Sequence, residues 1–233
     1  MAETEEQRIN REIEFFFQDP KIYVKTNESS SLHLLRRDVY QCLGYVCENG
    51  KWEKKCNPVI WSGAMTVLTG IDLLGKFYAG NDNSKGVGCR FTDYCKTYML
   101  LDKQNGNEEK CEGNEEKSKA IYQCRNAMIH SYVLFSKDKK RDITYYFQLT
   151  IRDDVPLIMI CPKSDKSKKY CIININILRD RFESSIEKYK NDLLLISRKI
   201  IRNNFDRMFK IYGKVHQPDI YFNPFPLESE ETT

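Results

Sequence analysis

Apolar side chains recur every three to four residues along most of this chain, the period of an amphipathic helix, and switch to alternation in one stretch only. Ile9, Ile13, Phe16 and Phe17 predict a first helix over Glu5 to Gln18, stopped by Asp19-Pro20. After a short Lys-Ile-Tyr-Val piece, the polar run Asn27 to Ser31 offers N-caps for a second helix, with Leu32, Leu35, Val39, Leu43 and Val46 on one face and Asn49-Gly50 at its end. Asn57-Pro58 is a strong start signal, a capping residue before a proline whose missing N–H costs nothing at that position. The third helix, Pro58 to Ala79, is apolar nearly all round and belongs at the centre of a bundle; Gly80 ends it. Its small residues, Ser62, Gly63, Ala64, Thr66, Thr69 and Gly70, suggest close approach of a neighbouring backbone.

A glycine-bearing loop, Gly80 to Gly88, leads to a fourth helix striped by Phe91, Tyr94, Cys95, Tyr98 and Met99. Residues 102–117 are polar, repeat Gly-Asn-Glu-Glu-Lys at 106 and 113, and read as a mobile solvated loop. A fifth helix is predicted from Ser118 to Phe135, with Ile121, Cys124, Met128, Tyr132 and Phe135 facing the core. Alternation then marks Ile143 to Thr150, Val155 to Cys161 and Tyr170 to Ile175 as a three-stranded antiparallel β-meander, an insertion over 143–175. Helical spacing returns from Asn176 to Tyr212. A straight helix of that length would span roughly 55 Å, so a break near Asn203-Asn204 or an extension onto a second subunit is expected. The predicted fold class is mainly α, an up-and-down helical bundle with a small sheet inserted before a long last helix, in one domain over 1–233 with a tail at 214–233.

Composition narrows the function classes. The 233 residues carry a formal net charge of +4, with 41% hydrophobic and 30% charged side chains, which suits a globular protein rather than a disordered tail. No apolar run reaches the length of a membrane span, and the acidic N-terminus does not resemble a signal peptide, so a cytoplasmic location without membrane partners is expected. Nine cysteines fall at spacings that match no zinc knuckle, and three histidines, His33, His130 and His216, add little to a metal site. Neither a metal nor a cofactor is implied, and the cysteines read as reduced thiols acting as small buried apolar groups.

The chemistry-bearing group lies in the fifth helix, in Arg125-Asn-Ala-Met-Ile-His130. Asn126 and His130 are four apart and share a face away from the core stripe, with Arg125 on the border. A guanidinium supplies a fixed charge and a planar donor fork suited to phosphate, and an imidazole can take and give a proton near neutral pH. Together they are a minimal kit for phosphodiester cleavage; the competing reading is a surface helix carrying an idle Arg and His.

The pattern Arg125-Asn126-x-x-x-His130, late in a helix of a helical domain with a long helix following, resembles the Arg-x4-to-6-His motif of the HEPN superfamily. The resemblance rests on these residues and on the bundle over roughly residues 5 to 213. It implies a bundle that commonly dimerises, bringing two motif helices into one composite cleft. It also implies a metal-independent endoribonuclease of the kind found in toxin–antitoxin and phage-defence systems. His130 would serve as general base or acid, Arg125 would stabilise charge developing on phosphorus, and Asn126 would orient His130 or the phosphate. The products would be a 2′,3′-cyclic phosphate and a 5′-hydroxyl. Some relatives keep the bundle without catalysis, so a non-catalytic RNA- or protein-binding module, or a regulatory partner such as an antitoxin, is the alternative.

Other polar residues are candidates for support. Asp72 and Lys76, four apart on the apolar third helix, and Arg90 at the start of the fourth, either form structural ion pairs or line a cleft facing Arg125 and His130. The loop Gly80 to Gly88 could receive a phosphate at a helix N-terminus but lacks a Walker pattern, and a tight helix connection is the simpler reading. Lys137, Lys139, Lys140 and Arg141, then Lys163, Lys166, Lys168 and Lys169, flank the strands. They either present charge to RNA or keep a small sheet soluble.

Overall fold

The computed structural model describes residues 3–21, 28–100, 112–161 and 165–216. The Lys-Ile-Tyr-Val piece beyond Lys21, residues 102–111 of the polar segment, Lys163 and the tail from 217 lie outside the described residues. The first helix, α1 (Glu5–Phe16), begins in a reciprocal cap: Thr4 accepts from the Gln7 backbone while the Gln7 side chain accepts from Thr4. A short strand β1 (Glu28–Ser30) then runs into α2 (Ser31–Cys42), capped by Ser30, whose buried hydroxyl also donates to the Phe16 carbonyl at 2.8 Å.

The second helix stops seven residues before the predicted Asn49-Gly50. Gly44, at φ 84°, takes a conformation costly for any side chain, and its carbonyl accepts the N–H groups of Lys55 and Cys56. That closes a hairpin, β2 (Tyr45–Glu48) with β3 (Lys51–Lys54), turned by Asn49 and Gly50, both at positive φ. Asn-Gly is therefore a hairpin turn here and not a helix end. Trp52 stacks on Tyr40 of α2 at 4.7 Å, anchoring the hairpin.

The central helix α3 (Ile60–Ala79) packs against α2 and against four helices that follow it: α4 (Val87–Tyr94), α5 (Glu112–Ser131), α6 (Ile175–Leu194) and α7 (Lys199–Tyr212). It starts two residues beyond Pro58, with Val59 at the cap and no side-chain cap bond, and ends as expected at left-handed Gly80. The small residues work differently from the expectation. Gly63 faces the Leu43 side chain and Gly70 faces Phe182 and Leu35, so side chains fill these notches; the close backbone approach is at Gly75, against the Arg90 carbonyl. A single π-helical turn, Cys95–Met99, extends α4 and turns Tyr98 into a buried tyrosine cluster with Tyr94 and Tyr189.

The second Gly-Asn-Glu-Glu-Lys copy, read as loop, lies within α5. The same helix ends at Ser131, not Phe135. Tyr132 takes φ 51°, and its N–H donates to Met128 while that of Val133 reaches Ala127. The chain then reverses into an unpredicted strand, β4 (Phe135–Asp138). Tyr132 and Phe135, expected in the core, are exposed instead.

The meander is corrected as well. With β5 (Ile143–Thr150), β6 (Ile158–Cys161) and β7 (Lys168–Asn174), β4 forms a four-stranded mixed sheet in the order β4-β5-β7-β6, in which β5 and β7 are parallel. The 151–157 connection steps over the end of β7 because Asn174 holds it. Its side-chain amide donates to the carbonyls of Arg152 and Val155 at 2.6 and 2.8 Å, and its backbone N–H to Leu157. The same side chain caps α6 by accepting from Ile177.

The long terminal helix is broken, at Leu195–Arg198 rather than at Asn203-Asn204. Arg202 from α7 donates to the Leu193 carbonyl left free at the break, and to Asn10 of α1. Asn204 stays helical and donates to the Tyr78 carbonyl at the end of α3. A last strand, β8 (Lys214–His216), pairs with β1. One hydrophobic core runs from Ile9 to Phe209, through all the helices and the inner face of the sheet.

Candidate active site

The motif sits in the last two turns of α5, held from below by Ile121, Cys124, Ala127 and Met128, all buried. That packing fixes which way the opposite edge of the helix looks. Arg125 reaches across to α3 and to its own helix end at once. One terminal nitrogen, Nη2, donates to Asp72 Oδ2 at 3.2 Å. The other, Nη1, donates to Asn126 Oδ1 at 3.2 Å and lies 2.8 Å from His130 Nε2. For Arg125 to donate there, Nε2 must carry the lone pair and the imidazole must be neutral.

The Asp72 and Arg125 side chains are 14% and 11% exposed, so the pair is largely shielded, whereas His130 is exposed. A ligand therefore meets the imidazole first and the Nη1 edge of the guanidinium behind it. Asp72 Oδ1 and Arg125 Nε are buried without a hydrogen-bond partner, so a single bond joins the pair and each group keeps an unused position. The arrangement is a carboxylate that holds a guanidinium, which in turn holds an imidazole at the protein surface.

Asn126 bonds to Arg125 and makes no bond to His130, so its position supports the guanidinium rather than the ring. Lys76 does not join Asp72. It lies over the Tyr212 ring at 4.7 Å, in a separate group where the Tyr212 hydroxyl donates to Asp82 and holds that carboxyl below its ordinary range. Arg90 is buried and donates to the Asn83 carbonyl at 2.5 Å, which ties down the 80–88 loop. Lys76 and Arg90 thus serve that loop, and the loop is a helix connection built on Gly80, Asn83 and a 3-10 turn at Ser84–Gly86.

Of the lysines, Lys139 and Lys140 sit in the exposed β4–β5 turn. Lys168 pairs with Asp165 at 3.1 Å, and Lys169 pairs with Glu116 of α5 and approaches the Tyr145 ring. The parallel pairing of β5 with β7 sets Thr144 beside Lys168, which brings both lysine-bearing turns to one end of the sheet. Tyr132, two residues past His130, rests its ring on Trp61 of α3 at 4.9 Å; the helical stripe concealed this residue by counting it as core.

Among the described residues no three His, Cys, Asp or Glu side chains gather to hold a metal. Cys95, Cys124 and Cys171 are buried, and burial pushes their thiols up, that of Cys171 to about 11. Cys47, Cys56 and Cys89 are exposed, which departs from the expectation of buried thiols throughout. No described helix is long and apolar enough to cross a membrane. No known protein family, curated protein or solved structure matches the chain.

Proposed function

We propose that this protein is a metal-independent endoribonuclease of HEPN type. The observation that carries the reading is the 2.8 Å contact between Arg125 Nη1 and His130 Nε2, with Asp72 anchoring the guanidinium from behind. In this reading RNA enters over His130, and the phosphate displaces Nη1 from the ring and takes its hydrogen bond. The freed Nε2 lone pair accepts the proton of the ribose 2′-hydroxyl, and the 2′-oxygen attacks phosphorus. Charge developing on the non-bridging oxygens falls beside Arg125. The P–O5′ bond breaks, and the departing 5′-oxygen takes a proton from an imidazolium, giving a 2′,3′-cyclic phosphate and a 5′-hydroxyl. A homodimer that joins two motif helices would supply one neutral imidazole as base and the other, protonated from solvent once its own Arg125 contact is released, as acid. A toxin or phage-defence role, restrained by a protein partner, is part of the same proposal.

A second reading draws on the same contact. A non-catalytic RNA- or protein-binding module predicts Arg125 and His130 occupied with each other, as they are in the single chain. Cleavage of total RNA in excess EDTA separates the two. The nuclease reading expects cleavage by the parent and a loss of at least about a hundredfold in folded His130→Ala and Arg125→Ala variants. RNA left intact by a folded, dimeric parent favours the binding module.

A further inference from the structure

Large aromatic rings leave water unless something holds them out, and two of them stand exposed immediately after His130. Tyr132 is 66% exposed and Phe135 is 55% exposed. Each is backed on one side by another ring, Tyr132 by Trp61 at 4.9 Å and Phe135 by Tyr146 at 6.4 Å. The backing fixes each ring and leaves its outer side to solvent. Tyr132 also holds φ 51°, a left-handed conformation unfavourable for a bulky residue, and such strain persists where the surroundings enforce it. Phe135 opens β4, an edge strand of the sheet, so no further strand covers it.

Charge continues the same line. Lys137 shares the Phe135 face of β4 by alternation, and Lys139 and Lys140 follow in the turn. Segments 137–142 and 165–169, at one end of the sheet, hold seven basic and three acidic side chains, a net charge equal to the +4 of the whole chain. Lys137 has only an exposed partner, Asp142, a pairing that a phosphate can replace at little cost, and Lys139 and Lys140 have no ion-pair partner among the described residues.

We infer that Tyr132 and Phe135 stack two bases of a single-stranded RNA whose backbone continues over Lys137, Lys139 and Lys140, leading the strand away from His130. This rests on the nuclease reading for its direction but not for its chemistry, since stacking rings and ammonium groups bind a strand whether or not it is cut. The five residues from His130 to Phe135 span at most about 18 Å, the reach of a few nucleotides. Single strands fit because their bases are free to lie on a ring, whereas a duplex keeps its bases stacked on one another.

The test is fluorescence anisotropy with a labelled oligoadenylate in EDTA at low salt, in a His130→Ala background so that nothing is cut. Tyr132→Gly, which also relieves the left-handed strain, and Phe135→Thr, which suits a strand, should each weaken binding about tenfold. Tyr132→Phe and Phe135→Tyr should bind within about twofold of the background protein, and a duplex of the same length should bind at least about tenfold more weakly. Removing both turn lysines as Lys139→Gln with Lys140→Gln should flatten the salt dependence by about 1.4 in log–log slope. The proposal is overturned by absence of binding, by ring variants that bind like the background protein, by equal affinity for duplex, or by ring variants that alter only self-association. Cleavage without ring-dependent binding would leave the nuclease reading standing and remove this one; ring-dependent binding without cleavage would do the reverse.

Discussion

At the residue scale, position decides role more than residue type does. Three histidines were visible in the sequence, yet His130 lies exposed against a guanidinium while His33 is buried in the first turn of α2. Burial, reinforced by the charges of Arg37 and Arg36, pushes the His33 imidazole below its ordinary value of 6.5. The unfolded chain then takes up that proton first as pH falls. Stability is fully present above 6.5 and is lost between 6.5 and the lower folded value. The melting temperature should therefore drop as pH falls below 6.5, and His33→Gln should show a shallower drop whatever its absolute stability. An equal drop in parent and variant would assign the effect to other groups. Asp72 acts on the site through Arg125. Asp72→Asn, which keeps shape and removes charge, should lower the single-turnover rate about tenfold or more, while affinity for an uncleavable RNA stays within about twofold. An unchanged single-turnover rate would remove the positioning role of Asp72. Helical periodicity is local, so the sequence already groups Arg125, Asn126 and His130 within little more than one turn, and in the structure Arg125 bonds Asn126 and meets His130. It could not choose between Lys76 and Arg125 as the partner of Asp72, because that choice depends on how α3 and α5 cross.

At the element scale, the helices were legible wherever their apolar stripe was long, as in α1, α3 and α6, and the failures cluster where tertiary contacts overrule local signals. Asn49-Gly50 carried both a stop signal and a hairpin signal, and Gly44 decided between them by receiving Lys55 and Cys56. The terminal helix breaks at Leu195–Arg198, a stretch with no proline or glycine, and Arg202 of the following helix satisfies the Leu193 carbonyl that the break leaves without a helical partner. Alternation identified three strands but not their order, which is set by long-range pairing, and one buried side chain, Asn174, holds the connection between β5 and β6. Asn174→Ala should cost about 2–4 kcal/mol, since it removes a cap and leaves two carbonyls unsatisfied. Asn174→Asp keeps the cap and loses both donors, so urea unfolding should find it unstable as well; a variant within about 0.5 kcal/mol of the parent would show that the 151–157 connection is held by something else. Gly75 sets the distance between α3 and α4, where an added methyl would stand 3.1 Å from the Arg90 carbonyl. Gly75→Ala should destabilise by about 1–3 kcal/mol, measurable in the same unfolding experiment, and a neutral or stabilising result would mean that α4 can retreat.

At the scale of the whole molecule, the bundle and sheet converge on the end of α5. The helix carries Arg125 and His130, the left-handed turn at Tyr132 ends it, and the edge strand continues with Phe135 and the lysines. The motif of one chain presents one imidazole, so the proposed reaction uses a second copy to complete base and acid. Sedimentation at micromolar concentration should find a dimer, and a persistent monomer would remove the composite cleft. The order of events at phosphorus is the centre of the account, and the ends of the RNA products report it directly. The measurement is the chemical identity of both termini after cleavage in excess EDTA by the parent protein. Attack by the 2′-oxygen predicts a 2′,3′-cyclic phosphate on one fragment and a 5′-hydroxyl on the other. A 5′-phosphate with a 3′-hydroxyl would mean that water, not the ribose, attacks phosphorus, and would contradict the roles given to Arg125 and His130.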